Sequence, residues 1–118
     1  MQSIAIIQTQ PPFNQAKARE SLDLILALAA VDYSLSIIFS GDAVYQLLPP
    51  NTSNNFPVKA VQKSFGLFAL YDIENCLVCA TSLQARGLTG LHLPQGFVVA
   101  NEAKIKASLA SAQHIIRC

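Results

Sequence analysis

Residues 73–87 read IENCLVCATSLQARG, and this stretch joins a strand pattern directly to a helix pattern. Its first part, Ile73 to Val78, is mostly apolar and predicts a buried strand. Thr81 to Ala85 predicts a short helix. Gly87 is the predicted end of that helix, because glycine adopts the left-handed conformation that commonly terminates helices. The stretch therefore predicts one strand–helix unit of an α/β protein.

The same alternation continues on both sides of this unit. Strands that alternate with helices pair in parallel through right-handed crossovers. We therefore predict a single α/β domain over residues 1–118, an open, mostly parallel sheet of about five strands with helices on both faces. The other predicted strands are Ser3–Gln8, Leu35–Phe39, Phe97–Val99 and His114–Ile116. The other predicted helices are Asn14–Val31, Ala43–Leu48, Val58–Leu70 and Glu102–Ala110.

The chain is rich in apolar residues and poor in charge. Of its 118 residues, 52% are hydrophobic and 13% are charged, whereas a typical domain has about 25% charged residues. This composition excludes a disordered chain, and the net charge of +1 excludes a strongly basic nucleic-acid-binding surface. Too few charges remain to cover a soluble surface, so we expect other subunits to cover part of it. The alternative is a monomer with a surface rich in Ser, Gln, Asn and Thr.

The sequence carries no pattern of a membrane or secreted protein. Its longest apolar run, Leu24 to Val31, is far shorter than the ~20 residues that a membrane-spanning helix requires. The first residues, MQSIAIIQTQ, lack the positive leader and the cleavage site of a secretory peptide. The three cysteines form an odd set without a disulfide framework. We therefore expect a cytoplasmic protein without membrane contact.

Three predicted loops follow the carboxyl ends of strands, where parallel sheets bind their ligands. They are Thr9–Phe13, Ser40–Asp42 and the Cys79–Ala80 junction. None contains a G-x-G-x-x-G or Walker A motif, so the usual phosphate cradle of dinucleotide and nucleoside triphosphate sites is missing. Asp42 is interpreted as a cap of the helix that begins at Ala43. No cofactor is predicted.

Cys76 and Cys79 form a C-x-x-C pair, for which three interpretations compete. A redox pair belongs at a helix N-terminus, but Cys76 lies inside the strand pattern, and strand residues three apart point to opposite faces. A zinc site needs four ligands, and the remaining candidates (Cys118, His92 and His114) lack paired spacing. The third interpretation separates the pair. Cys76 is then a core residue, and Cys79 is either an inert thiol or a thiolate favoured by the adjacent helix N-terminus.

Two segments resemble a known family. Ser40–Pro49 (SGDAVYQLLP) and Leu70–Leu88 (LYDIENCLVCATSLQARGL) are similar to the DsrF-like, TusC-type subunits of the DsrE/DsrF/DsrH sulfur-relay family. The similarity extends over nearly the whole chain, from the Ile-rich first strand to the terminal strand that ends in Arg117. It implies a single DsrE/DsrF-like domain with a flavodoxin-like sheet.

The resemblance also implies a function and partners. Subunits of this type belong to the TusBCD complex, a dimer of heterotrimers (a heterohexamer), so the expected partners are TusB-like and TusD-like subunits. That complex receives persulfide sulfur from a TusA-like donor and passes it to a TusE-like acceptor, for 2-thiolation of the wobble uridine in tRNA. The chain is then a non-catalytic, accessory subunit of a sulfurtransferase complex, and we expect it to make no direct contact with nucleic acid.

The alternatives differ in the role that they give to Cys79. Residues 79–87 (CATSLQARG) align without a gap with the C-x-A-A-A-L-x-R-G run that carries the essential cysteine of TusD-type subunits. TusC-type subunits are regarded as non-transferring, which makes Cys79 structural or vestigial. One alternative is an active persulfide carrier with Cys79 as the nucleophile. A further alternative is a small-molecule binding module with a pocket near Thr9, Gly41 and Cys79.

Overall fold

The structure of the protein, a computed structural model, describes residues 3–9, 15–31, 33–47, 73, 75–90, 93 and 96–118. Its strands and helices alternate along the chain, as the sequence predicts. The described strands are β1 (Ser3–Gln8), β2 (Ser34–Phe39), β3 (Asn75–Cys79), β4 (Phe97–Ala100) and β5 (His114–Arg117). The described helices are α1 (Gln15–Ala30), a 3-10 helix (Gly41–Leu47), α2 (Ala80–Ala85) and α3 (Glu102–Ser111).

The five described strands form one sheet in the order β4-β3-β2-β1-β5, and every neighbouring pair is parallel. Ile6 of β1 aligns with Ile37 of β2, and Cys76 of β3 aligns with Phe97 of β4. The central strands have neighbours on both sides and contribute to apolar clusters on both faces. This double burial explains why their sequences are nearly continuous apolar runs. The predicted parallel α/β sheet is confirmed.

The larger hydrophobic cluster lies on the face of the sheet that is covered by α1, the 3-10 helix and α2. Alternate strand residues form its centre, among them Ile6, Ile37 and Val78, because successive side chains of a strand point to opposite faces. Ile25 of α1 and Leu83 of α2 are buried against them. This packing fixes α2, the helix that follows Cys79, onto the sheet.

The opposite face of the sheet is covered by α3. Ile38 and Leu77 are buried on this face, and Ile105 of α3 packs against their cluster. α3 begins after Asn101, whose side-chain oxygen accepts a hydrogen bond of 2.9 Å from the backbone N–H of Lys104. Helices therefore lie on both faces, as predicted. Of the described helices, none is both long enough and apolar enough to cross a membrane.

The boundaries of the third strand differ from the prediction. The strand begins at Asn75 instead of Ile73 and continues to Cys79. Ile73 is buried in the core although it precedes the strand, so its apolar character reflects packing and not strand pairing. Outside the described residues lie the predicted helix Val58–Leu70 and the single positions Asn14, Leu48 and His92.

The element after β2 is a 3-10 helix that begins at Gly41, not an α-helix that begins at Ala43. Its first hydrogen bond runs from the N–H of Ala43 to the carbonyl of Ser40 at 3.2 Å, a step of three residues. Gly41 has a φ of +59°, in the left-handed region that glycine tolerates best. Asp42 therefore lies inside the first turn, and the prediction that it precedes and caps the helix was wrong.

Candidate functional site

The carboxyl ends of β1, β2 and β3 meet at one edge of the sheet. The paired registers end with Gln8 opposite Phe39 and with Phe39 opposite Val78, and Thr9, Ser40 and Cys79 are the residues that follow them at this edge. Neighbouring strands are about 4.8 Å apart, so each of these residues lies next to the following one. Of the three loops that the sequence predicts at a binding edge, the structure thus brings together Thr9, Ser40 and Cys79, while residues 10–13 of the first loop lie outside the described residues.

Cys79 is both the last residue of β3 and the N-cap residue of α2. Its backbone is extended (φ −65°, ψ 117°), and its side chain makes no capping hydrogen bond to the helix. The thiol is half-buried and is not part of a disulfide. The predicted position of Cys79 at the strand–helix junction is confirmed, while its chemical role stays a prediction.

Cys76 has a different environment. Its side chain is buried in the larger hydrophobic cluster, and this burial raises the pKa of its thiol to about 12. Because the thiolate is the nucleophile and the metal ligand, a thiol held neutral in this way is inert. Cys76 and Cys79 are free cysteines, and strand alternation directs residues three apart to opposite faces. The prediction that Cys76 is a core residue is confirmed.

α2 is a single short helix that ends in a Schellman motif. The N–H of Leu88 donates to the carbonyl of Leu83 at 2.8 Å, and the N–H of Gly87 donates to the carbonyl of Gln84 at 3.2 Å. Gly87 has the positive φ, +68°, that this motif requires. The predicted end of the helix at Gly87 is confirmed, and Arg86 occupies the C-cap position.

Side chains of α2 join this helix to the turn after β2. The backbone N–H of Gly41 donates to the hydroxyl oxygen of Ser82 at 2.9 Å. The Nη2 and Nε atoms of Arg86 donate to one oxygen of Asp42, Oδ1, at 2.9 and 3.2 Å, and its Nη1 donates to the carbonyl of Ser82 at 3.2 Å. We call these four residues, Gly41, Asp42, Ser82 and Arg86, the turn–helix clamp.

The described strands are parallel, and Cys79 lies at the junction of β3 and α2. The chain also matches the sequence model of the DsrE/DsrF-like family over residues 2–117. The chain belongs to the DsrE/DsrF-like family. Its fold is similar to that in the crystal structure of the YchN protein from E. coli, with a TM-score of 0.81, 22% sequence identity and complete coverage of both chains.

Sequence reasoning missed the turn–helix clamp of this DsrE/DsrF-like chain. It interpreted Asp42 as a helix cap and gave Ser82 and Arg86 no role. The structure instead pairs Asp42 with Arg86, whose guanidinium carbon also lies 5.9 Å from the centre of the Tyr45 ring. The sequence pattern that could have indicated the clamp is the spacing of Ser82 and Arg86. Residues four apart lie on the same face of a helix, so these two could be expected to contact the same neighbouring segment.

The β1 end of the edge is closed by the segment after β5. The N–H and the hydroxyl of Thr9 donate to the carbonyl of Cys118 at 2.8 and 2.7 Å, and the N–H of Cys118 donates to the carbonyl of Ile7 at 2.8 Å. Partial burial raises the pKa of the Cys118 thiol. The hydroxyl of Thr9 therefore has a structural partner within this DsrE/DsrF-like domain.

No metal-binding cluster of three or more His, Cys, Asp or Glu side chains occurs among the residues that the structure describes. His114 lies exposed on β5, at the far edge of the sheet from β4. Cys79 and His114 belong to strands that are separated by β2 and β1. Among the described residues, the chemistry that this DsrE/DsrF-like edge offers is therefore that of the Cys79 and Cys118 thiols beside backbone and hydroxyl groups.

Proposed function

We propose that this chain is a non-catalytic, accessory subunit of a sulfur-relay complex that delivers persulfide sulfur for 2-thiolation of the tRNA wobble uridine. Its membership of the DsrE/DsrF-like family supports a place in sulfur relay. The resemblance of residues 40–49 and 70–88 to DsrF-like subunits supports the accessory place within such a complex. The relay would operate in the cytoplasm, where thiols stay reduced.

The proposal that this chain is a subunit of a complex rests on exposed aliphatic side chains at both edges of the sheet. Val98 and Val99 lie on the edge strand β4, and Ile115 lies on the edge strand β5. Together with Val31, they are between 47% and 63% exposed. With only 13% charged residues in the chain, such side chains favour contact with other subunits.

The available surface is large enough for two partners. The chain has an accessible surface of 6831 Å², and a standard interface covers about 800 Å² of each partner. One interface would therefore take about an eighth of the surface, which leaves room for a TusB-like and a TusD-like subunit on separate margins. To form a dimer of heterotrimers, the two heterotrimers must also contact each other through interfaces of similar size.

A second candidate function is persulfide carriage by Cys79. It is favoured by the difference in burial between Cys76 and Cys79. Burial keeps Cys76 protonated, whereas the half-buried Cys79 ends a strand at the ligand-binding edge of the sheet. The Cys79 thiolate would attack the outer sulfur of a donor persulfide and form a new S–S bond. The donor's own S–S bond breaks, and its electron pair leaves on the inner sulfur as a thiolate. An acceptor thiolate then takes the outer sulfur from the Cys79 persulfide in the same way, with no net oxidation.

Coexpression with TusB-like and TusD-like subunits tests the accessory role. We expect the three chains to copurify as a heterohexamer and the isolated chain to self-associate, as measured by size-exclusion chromatography with light scattering. Cys79→Ser in the complex should leave the transfer of labelled sulfur from a TusA-like donor to a TusE-like acceptor unchanged. Cys118→Ser is the matched control.

The same experiment separates the two candidates. If Cys79→Ser abolishes transfer and mass spectrometry places the labelled sulfur on Cys79 of the wild-type chain, the chain is a carrier and not an accessory subunit. An isolated chain that stays monomeric at high concentration and does not bind the partner subunits would contradict both the accessory role and the interface argument.

A further inference from the structure

β4 is an edge strand of the sheet. Among the described strands it pairs only with β3, so one side of it is open. The open side of an edge strand is a template on which another strand can pair. We propose that β4 pairs in antiparallel orientation with β4 of a second copy of this chain, so that the two five-stranded sheets join into one.

The two edge strands of the sheet differ in their protection against such pairing. β5 carries His114 and Arg117, and both side chains are exposed. Charged side chains on an edge strand discourage pairing with another chain, and so does proline. β4 has the sequence FVVA and carries neither a charge nor a proline. Of the two edges, β4 is therefore the one suited to the addition of a strand.

The two exposed valines of β4 lie on opposite faces of the sheet. Val98 aligns with Leu77, which belongs to the cluster on the α3 face, and Val99 aligns with Val78, which belongs to the larger cluster. Val98 is 49% exposed and Val99 is 47% exposed. A partner that docks on one face would cover only one of them. A strand added beside β4 covers both, because its own side chains alternate between the same two faces.

β4 of a second copy has the properties that this added strand requires. It is an edge strand of equal length, and it presents an exposed valine on each face. A twofold axis perpendicular to the sheet brings the two copies together antiparallel, and each residue then lies near its own counterpart. A charged edge would repel itself in this arrangement, whereas the uncharged β4 does not. The self-pairing of β4 thus covers the valines without burying a charge.

This inference goes beyond the proposed sulfur relay and does not depend on it. It concerns the free chain, since a TusB-like or TusD-like subunit bound at β4 would occupy the same edge. A strand of four residues offers less than the about 800 Å² per partner of a standard interface. We therefore expect a weak dimer that forms at high protein concentration.

Disulfide crosslinking tests the pairing. Val98→Cys and Val99→Cys are introduced separately into the full chain with Cys79→Ser and Cys118→Ser. In a twofold antiparallel pair, one residue lies opposite its own counterpart, with Cβ atoms about 4.5–5.5 Å apart. The next residue lies further from its counterpart than the about 7 Å between Cα atoms that a disulfide spans. After mild oxidation, we expect one of the two variants to form about tenfold more disulfide-linked dimer than the other.

Ile115→Cys in the same background is the matched control. Ile115 is 54% exposed and lies on the other edge strand, so it offers a thiol of similar accessibility away from β4. We expect it to crosslink no more than the weaker of the two β4 variants. Equal crosslinking of all three variants would overturn the proposal, and so would β4 variants that both stay at the level of Ile115→Cys.

Amide hydrogen exchange of the unmodified chain provides a second measurement. Between low and high protein concentration, exchange in the peptide that contains Phe97–Ala100 should slow by about threefold. Exchange in the peptide that contains His114–Arg117 should not change. A chain that is monomeric by light scattering at high concentration would overturn the proposal, as would a dimer whose protection lies at β5. Neither readout involves sulfur transfer, so a failure of the relay proposal would leave both results unaffected.

Discussion

Arg86 at the end of α2 donates two hydrogen bonds to Asp42 of the 3-10 helix, across 44 residues of chain. The shorter of the two measures 2.9 Å. The pair connects the element after β2 with the helix after β3, two neighbours in the sheet. Because more than half of the Asp42 side chain is accessible to water, solvent screens the pair and limits its contribution to the free energy of unfolding.

The strength of this ion pair can be measured by a double-mutant cycle. We expect Asp42→Ala, Arg86→Gln and the double variant to give a coupling free energy of about 0.5 kcal/mol in urea unfolding. The coupling should shrink at high salt, since exposed charges are screened. A coupling of zero at low salt would show that the two side chains do not interact in solution.

Gly41, the first residue of the turn–helix clamp, has a left-handed backbone conformation that is unfavourable for any residue with a Cβ. Gly41→Ala should lower the free energy of unfolding by about 1–2 kcal/mol, because the φ of +59° is strained for any residue with a Cβ. The space itself is sufficient, since the added Cβ would lie 4.0 Å from Nη2 of Arg86.

Gly90→Ala is the control for this substitution. Its φ lies outside the positive range and a Cβ at Gly90 would meet no atom within 4 Å, so we expect a change within about 0.5 kcal/mol. Chemical denaturation of both variants measures the difference. Equal effects in the two would contradict the assigned conformation of Gly41.

Burial of Cys76 predicts its reactivity. Because its raised pKa of about 12 keeps the thiol protonated, iodoacetamide should not modify it in the native chain. Peptide mass spectrometry with fragmentation after alkylation should show no modification at Cys76 before unfolding and complete modification in denaturant. Rapid alkylation of Cys76 in the native chain would contradict its place in the core.

The same burial predicts how stability depends on pH. Burial raises the pKa of the Cys76 thiol from 9.0 in the unfolded chain to about 12 in the folded chain. Between these two pH values the folded chain therefore binds more protons than the unfolded chain. Stability is therefore lost as pH rises above about 9, by about 2 kcal/mol near pH 10.5. Urea unfolding from pH 8 to about 10.5 should show this loss in the parent chain and a smaller loss in Cys76→Ala.

The exposed valines of β4 predict the association behaviour of the isolated chain. Val99→Lys should reduce self-association, because it places a charge on an aliphatic edge strand. Ala107→Lys adds the same charge at an exposed position on α3 and should have little effect. Light scattering over a concentration series measures both. Equal reduction by the two variants would mean that net charge, and not the β4 edge, governs association.

The strands were predictable because burial on both faces leaves a continuous apolar run, as SIAIIQ in β1 shows. The start of β3 was not, since Ile73 is buried by packing without being in the strand. The 3-10 helix was mistaken for an α-helix because a short apolar pattern does not distinguish steps of three from steps of four residues.

The position of Cys79 was predictable because it depends only on local order: a strand, a cysteine and a short helix. The ion pair of Asp42 and Arg86 was not, because it depends on β2 lying beside β3 in the sheet. The strand order is set by packing of the whole chain, and no local pattern contains it. The sulfur chemistry of Cys79 stays a prediction.

Hydrogen bonds between Ser3 and Gln113 join β1 to the segment before β5. These two residues are 110 positions apart in the sequence. β1 is synthesised before β5, so the edge of β1 that pairs with β5 has no partner until β5 has also been synthesised. Bare strand margins are templates for wrong pairing, and distant pairings form slowly. A nascent chain that carries β1 without β5 therefore has an unpaired strand edge of the kind that favours wrong pairing.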